Sequence, residues 1–283
     1  MRNREALDAV IKAYDVRGVV GEDIDEAFVR DVGAAFASLL REENETTVAI
    51  GHDMRPSSPQ LADAFAEGVT SQGLDVIQLG LCATDQLYFA AGTLNCAGAM
   101  FTASHNPAQY NGIKLCRKGA TPVGEATGLA TIKNKMVEGI APDDVTPGTV
   151  THRDILSDYA DFLNGLVGLK ESRPLVVAVD AANGMGGHTV PAVFESLPFD
   201  VRPLYFELDG TFPNHEANPL DPKNLVDLQK FVVEQGADIG LAFDGDADRC
   251  FVVDEKGAPV SPSAICALIA ERYLEKFPSE TII

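Results

Sequence analysis

The chain has 283 residues, enough for two domains with separate cores, and its 46% hydrophobic content is that of a globular protein and not a disordered one. A formal charge of -20 repels polyanions over the whole surface and argues against nucleic acid as a partner, so a small phosphorylated ligand would need local Arg or Lys or a metal ion. No apolar run approaches the ~20 residues of a membrane helix, and the opening MRNREALDAVIKAYD lacks the apolar centre of a secretory signal, so a soluble, cytoplasmic protein with no membrane partner is expected.

In chain order, TTVAIGHD (46–53) reads as a strand, 60–72 as a helix, LDVIQLGL (74–81) as a strand, 85–92 as a helix and CAGAMFTASH (96–105) as a strand. The order recurs: strand PLVVAVDAANG (174–184), helix 189–197, strand FDVRPLYFEL (199–208), helix 224–235, strand GADIGLAFDGDAD (236–248). This predicts an α/β fold of two consecutive, similar mixed-sheet domains.

Between the two series, residues 138–154 are rich in Pro, Gly and Asp and read as a linker, which sets the first domain at 1–150 and the second at 151–256. The helix-like SAICALIAERYLEKF and the apolar end after it resemble the entry to a third unit, 257–283, so the chain is expected to be a fragment of a longer protein. In that case the apolar face of Ile265, Leu268, Ile269 and Leu274 lacks its sheet. Five cysteines, an odd number without a C-x-x-C pair, suggest neither a disulfide framework nor a zinc site.

Two strand ends carry chemistry. In FDGDADR (243–249), Asp244 and Asp248 would lie ~13 Å apart on an extended chain at about 3.3 Å per residue, so Asp244, Asp246 and Asp248 can share a magnesium ion only if the backbone curls. Gly245 and Ala247 are small enough to allow that, and Arg249 adds an anion contact. The alternatives are an acidic solvated turn and an aspartyl nucleophile of the phosphatase and phosphotransferase kind at Asp244. An EF-hand loop is rejected, because Arg249 stands where its glycine belongs.

In FTASHNPAQYNGIKL (101–115), an extended backbone would point Ser104 and His105 to opposite faces, which places His105 poorly as a direct base, and no G-x-S-x-G elbow surrounds the serine. Ser104 can instead carry a phosphate, with Lys114, Arg249 and the early Arg17 neutralising charge. Taken singly, Ser104 reads as a cap, Asn106 as an Asx turn and His105 as a surface histidine. His52, Asp53 and Arg55 are expected to support the site, and GMGG (184–187) reads as a tight strand-to-helix turn and not a dinucleotide fingerprint.

TASHNP with YNGIK, FDGDADR, AYDVRG (13–18), GHDMRPSS (51–58), VDAANGMGG (179–187) and FPNHEANPL (212–220) together resemble the α-D-phosphohexomutase superfamily. The last of these is most similar to the bacterial phosphomannomutase/phosphoglucomutase branch, with phosphoglucosamine mutases second. The resemblance implies a magnesium-dependent isomerase that moves phosphate between the 1 and 6 positions of mannose or glucose through a phosphoserine and a hexose 1,6-bisphosphate. It implies Ser104 as the phosphoserine and, with Asp244, Asp246 and Asp248, as metal ligand. His105 and Lys114 match acid/base positions, Arg249 lies beside them, and Tyr14 and Arg17 line the substrate-binding wall. Such enzymes have four domains, so a chain with two and the start of a third is expected to have little or no mutase activity, or to act only as a sugar-phosphate-binding module.

Overall fold

The computed structural model describes residues 2–140 and 145–282; residues 141–144 of the predicted linker and the final Ile283 lie outside the described residues. The first part runs α1 (Arg4–Val10), β1 (Val16–Val19), α2 (Glu26–Glu42), β2 (Thr47–His52), α3 (Ser58–Ser71), β3 (Asp75–Leu81), α4 (Thr84–Thr93), β4 (Ala97–Phe101), β5 (Tyr110–Arg117), β6 (Thr121–Pro122), α5 (Ala130–Glu138) and β7 (Val150–His152). The second runs α6 (Leu156–Leu166), β8 (Leu175–Asp180), α7 (Gly186–Phe194), β9 (Phe199–Leu204), α8 (Val226–Gln235), β10 (Ile239–Phe243), β11 (Cys250–Val253) and α9 (Pro262–Lys276).

The first sheet has the order β1-β5-β4-β2-β3-β7, with β6 on β5. Strands β4, β2, β3 and β7 are parallel, whereas β5 is antiparallel to both β4 and β1. The second sheet has the order β11-β10-β8-β9, parallel except for β11. Laid on each other, β5-β4-β2-β3 and β11-β10-β8-β9 are one topology used twice, which is the repeat predicted from the two apolar series.

Both sheets are covered on two faces. Phe36 and Leu40 of α2, Phe65 of α3 and Ile132 of α5 pack on Val48, Ile50 and Phe101, while Leu87 and Ala90 of α4 meet Ala49 and Met100 on the other face. In the second sheet Leu228 and Val232 of α8 cover Ala178 and Ala242, and Val190 of α7 covers Val177 and Val179. Central strands sandwiched in this way need apolar residues on both faces, and AGAMF of β4 is buried throughout.

Three departures from the predicted elements have physical causes. The predicted linker contributes β7, which pairs with β3 and so extends the first sheet to His152. YNGIKLCR forms β5, although Asn111, Gly112 and Lys114 break its apolar run: they serve loop contacts and the site. The predicted strand 236–248 stops at Phe243, because the acidic segment after it turns. Helix α9 buries none of its residues, and Leu268 and Ile269 are exposed. Among the described residues no helix is long and apolar enough to cross a membrane.

Candidate active site

The repeat explains why two motifs 140 residues apart meet. The Ser104 loop leaves the C-terminal end of β4 towards antiparallel β5, and the acidic loop leaves the equivalent end of β10 towards antiparallel β11. Open α/β sheets present ligand-binding loops at such strand ends.

Ser104 has a left-handed backbone, φ 53°, held by its N–H donating to Thr102 Oγ1 at 2.9 Å. This overturns the extended-backbone expectation: the turn brings His105 Nδ1 to 3.4 Å from Ser104 Oγ, on the same side. Ser104 Oγ donates to Asp244 Oδ2 at 2.9 Å, joining the two sheets at the site.

The acidic loop curls as its small residues allow. Ala247 takes φ 59°, its N–H donates to Asp244 O at 3.1 Å, and Asp244 N–H donates to Arg249 O at 3.2 Å. One carboxylate oxygen from each of Asp244, Asp246 and Asp248 then falls within 4.8 Å of the others. Gly245 is required by proximity, since a Cβ there would stand 2.3 Å from the carbonyl oxygen of Ser104.

Cations surround this triad. Lys114 Nζ, on β5, donates to Asp246 Oδ2 and Asp248 Oδ2 at 2.6 Å each. Arg249 Nε and Nη2 donate to Asp244 Oδ2 at 2.9 and 2.6 Å, and Nη2 also reaches Ser104 Oγ and His105 Nδ1. Thr84, at the start of α4, donates its hydroxyl to Asp246 Oδ2 at 2.6 Å and its N–H to Asp246 O at 3.2 Å.

Burial, followed by the charges of Asp246 and Asp248, raises the Asp244 carboxyl well above the usual carboxylate range. For Asp246 burial works upward too, but Lys114 outweighs it and holds the group below its ordinary value. Lys114 is pulled down by burial and raised further by the two carboxylates, with a net rise. Burial, aided by Arg249 and Arg17, lowers His105, so its imidazole is neutral at pH 7 and Nδ1 accepts from Arg249.

The second oxygen of Asp246, Oδ1, is buried without a hydrogen-bond partner. Buried carboxylate oxygens are rarely left so. Three clustered carboxylates, one carrying a free oxygen, fit a hard divalent cation that takes oxygen ligands.

Arg17 approaches from β1: Nη1 donates to Asn106 Oδ1 at 2.7 Å and Nη2 to Asp15 Oδ2 at 2.5 Å, which ties it to the serine loop. Tyr14 is 85% exposed on the turn before β1, outside this hydrogen-bonded cluster. Thr84 and Asp85 were missed in the sequence. Asp85 is pushed up to about 6 by burial and by Asp248 and Asp246, and the Thr-Asp pair opening a helix after a strand was the available signal.

Profiles described as phosphoglucomutase/phosphomannomutase alpha/beta/alpha domain I and domain II match residues 8–140 and 157–257, in that order, the first covering the first sheet apart from β7 and the second covering the whole of the second sheet. The chain belongs to this family. Over 280 residues it is 38% identical to a phosphomannomutase of Salmonella typhimurium, covering 96% of this chain and 61% of that protein. A phosphoglucomutase of Neisseria meningitidis is 40% identical over 276 residues, covering 97% and 59%. The crystal structure of a phosphoglucomutase/phosphomannomutase family protein from Burkholderia thailandensis superposes with a TM-score of 0.88 at 33% identity, covering 98% of this chain and 60% of that one. The chain thus spans about three fifths of the length of these family members.

Proposed function

We propose that this chain carries the phosphoserine and metal sites of a magnesium-dependent phosphohexomutase that interconverts the 1- and 6-phosphates of mannose or glucose, or both, in the cytoplasm. One observation carries the reading: Ser104 Oγ lies 2.9 Å from the clustered carboxylates, at Asp244, between Arg249 and Lys114. On this reading the serine domain, expected at 1–150, runs to His152 because β7 pairs with β3, the metal domain follows to 256, and 257–283 are the start of a third.

Asp244, Asp246 and Asp248 would hold the magnesium together with the phosphate on Ser104. Bound there, the ion supplies charge neutralisation and polarises the phosphoryl oxygens. The phosphorus–Oγ bond of phospho-Ser104 breaks as the phosphoryl group bonds to the free hydroxyl of a hexose phosphate, which gives up its proton while Oγ gains one. His105, whose Nδ1 lies 3.4 Å from Ser104 Oγ, takes up the hydroxyl proton, and Lys114, held at Asp246 and Asp248, supplies one. The hexose 1,6-bisphosphate turns over, and the reverse step returns its other phosphate to Ser104. Arg249 steadies Oγ, Arg17 faces the phosphate from β1, and exposed Tyr14 waits for substrate on the same wall.

Incubation of the chain with glucose 1,6-bisphosphate, followed by phosphopeptide mass analysis, is expected to add one hydroxylamine-resistant phosphate at Ser104 and none in Ser104→Ala. A hydroxylamine-labile phosphate on Asp244 would replace the mutase reading with an aspartyl phosphotransferase. Remote contacts orient a substrate for turnover, so the 283-residue chain is expected to accept phosphate while showing little or no complete isomerisation.

A further inference from the structure

Arg55 is a charged side chain with no solvent exposure, in the turn between β2 and α3. All five of its guanidinium N–H bonds are used. Nε donates to Asp53 Oδ2 at 3.1 Å. Nη1 donates to the carbonyls of Pro107 and Tyr110 at 2.8 and 3.0 Å, and Nη2 to those of Ser104 and Asn106 at 3.0 and 2.7 Å. One planar group therefore collects four carbonyls from the span 104–110, including that of Ser104 itself.

Asp53 is fixed in turn: its Oδ1 accepts from Arg55 N–H at 3.0 Å and from Ser58 Oγ at 2.6 Å. The open face of the guanidinium is covered from the second sheet. The Phe212 ring lies 5.1 Å from Arg55 Cζ, and at Gly210 a Cβ would stand 2.5 Å from Arg55 Cα, so the segment 208–218 presses directly on this turn.

We propose that Arg55, clamped by Phe212, is the positioning residue for Ser104, and that the segment 208–218 thereby sets the shape of the serine loop from across the domain boundary. The inference rests on Ser104 as phosphoryl carrier. Ser104 is anchored at its N–H by Thr102, at Oγ by Asp244 and Arg249 and at its carbonyl by Arg55, and the Arg55 contact is the one that ties its left-handed backbone to the turn between β2 and α3. Lysine cannot substitute, because a single ammonium lacks the planar fork that spans four carbonyls.

The test compares the chain with Arg55→Lys and Phe212→Ala, the second of which leaves every Arg55 hydrogen bond available and guards against a folding failure of the first. In Arg55→Lys the maximal rate of Ser104 phosphorylation by glucose 1,6-bisphosphate should fall about 100-fold, the loss expected for a displacement near 1 Å. The half-saturating concentration should stay within about twofold, since the guanidinium faces the loop and not the ligand. Phe212→Ala should lose about tenfold, and Phe212→Tyr should restore it. Amide exchange at 104–110 should quicken about tenfold in Arg55→Lys and Phe212→Ala, with β2 and β3 unchanged. Unchanged exchange at 104–110 in folded variants, or a loss confined to half-saturation, overturns the proposal. If the unaltered chain takes up no phosphate, the carrier reading fails instead, and the exchange measurement still decides whether Arg55 shapes the loop.

Discussion

At the residue scale the site depends on close approach as much as on charge. Gly245 brings the acidic loop against the serine loop, with a Cβ position 2.3 Å from Ser104 O, and that neighbour is backbone already held by Arg55. Gly245→Ala must therefore separate the loops. The separation lengthens the bond from Ser104 Oγ to Asp244 and pulls the triad away from Lys114. Overpacking of this kind costs about 1–3 kcal/mol. We expect a lower midpoint in urea together with at least a tenfold slower phosphorylation of Ser104, the factor that a loss of about 1.4 kcal/mol from the transition state gives. A variant that unfolds as the unaltered chain does and is phosphorylated at full rate would show the contact to be unimportant.

At the element scale, what could be read from the sequence follows from strand ends. AGAMF and IGLAF announce strands by continuous apolar character, the first buried throughout and the second at alternate residues, and the polar residues after each mark a change of environment. Hidden were the features set by distant partners. The carbonyl of Ser104 in its left-handed turn is held by Arg55, 49 residues away, and Lys114 finds its carboxylates 132 and 134 residues away. Arg55 gives no side-chain signature of burial, because four of its five acceptors are main-chain carbonyls, which every residue carries. Helix α2 left its cue in Asp25, whose side chain caps Phe28 N–H, but a reading begun from strands passes over it.

The segment between β9 and α8 has its own pH dependence. His215 Nε2 meets Asp180 Oδ2 at 2.9 Å and Nδ1 meets Glu216 O at 2.9 Å, so both nitrogens face acceptors and the imidazolium satisfies both. Burial lowers the His215 pKa, but Asp180, helped by Glu216 O and Asp227, outweighs it and the net shift is upward. A folded value above the unfolded ~6.5 means that the pair stabilises fully below pH 6.5 and that this contribution is lost as pH rises through the folded value. Denaturant midpoints should therefore fall as the pH rises above about 6.5. In His215→Gln that part of the fall should vanish; an equal fall in both proteins would assign the effect elsewhere.

At the scale of the whole molecule the site is an electrostatic seam. The second sheet brings Asp244, Asp246 and Asp248, the first brings Lys114, Thr84 and Ser104, and the chain as a whole is at -20. Burial, and then the repulsion of Asp246 and Asp248, raise the Asp244 carboxyl, and the lone Oδ1 of Asp246 has no hydrogen-bond partner. A divalent cation held by this arrangement would bind the folded chain alone, because the unfolded chain does not hold the three groups together. Linkage then requires that the ion stabilise the fold, by about 2.7 kcal/mol at a free concentration 100 times its dissociation constant. Magnesium should raise the unfolding midpoint progressively with concentration, whereas an equal ionic strength of sodium chloride should do so weakly, since buried charges are little screened. Asp246→Asn removes one charge and should right-shift the magnesium titration without abolishing folding, because the amide still accepts from Thr84. If magnesium and sodium at matched ionic strength act alike on both proteins, the seam holds no specific ion, and Lys114 and Arg249 alone balance the triad.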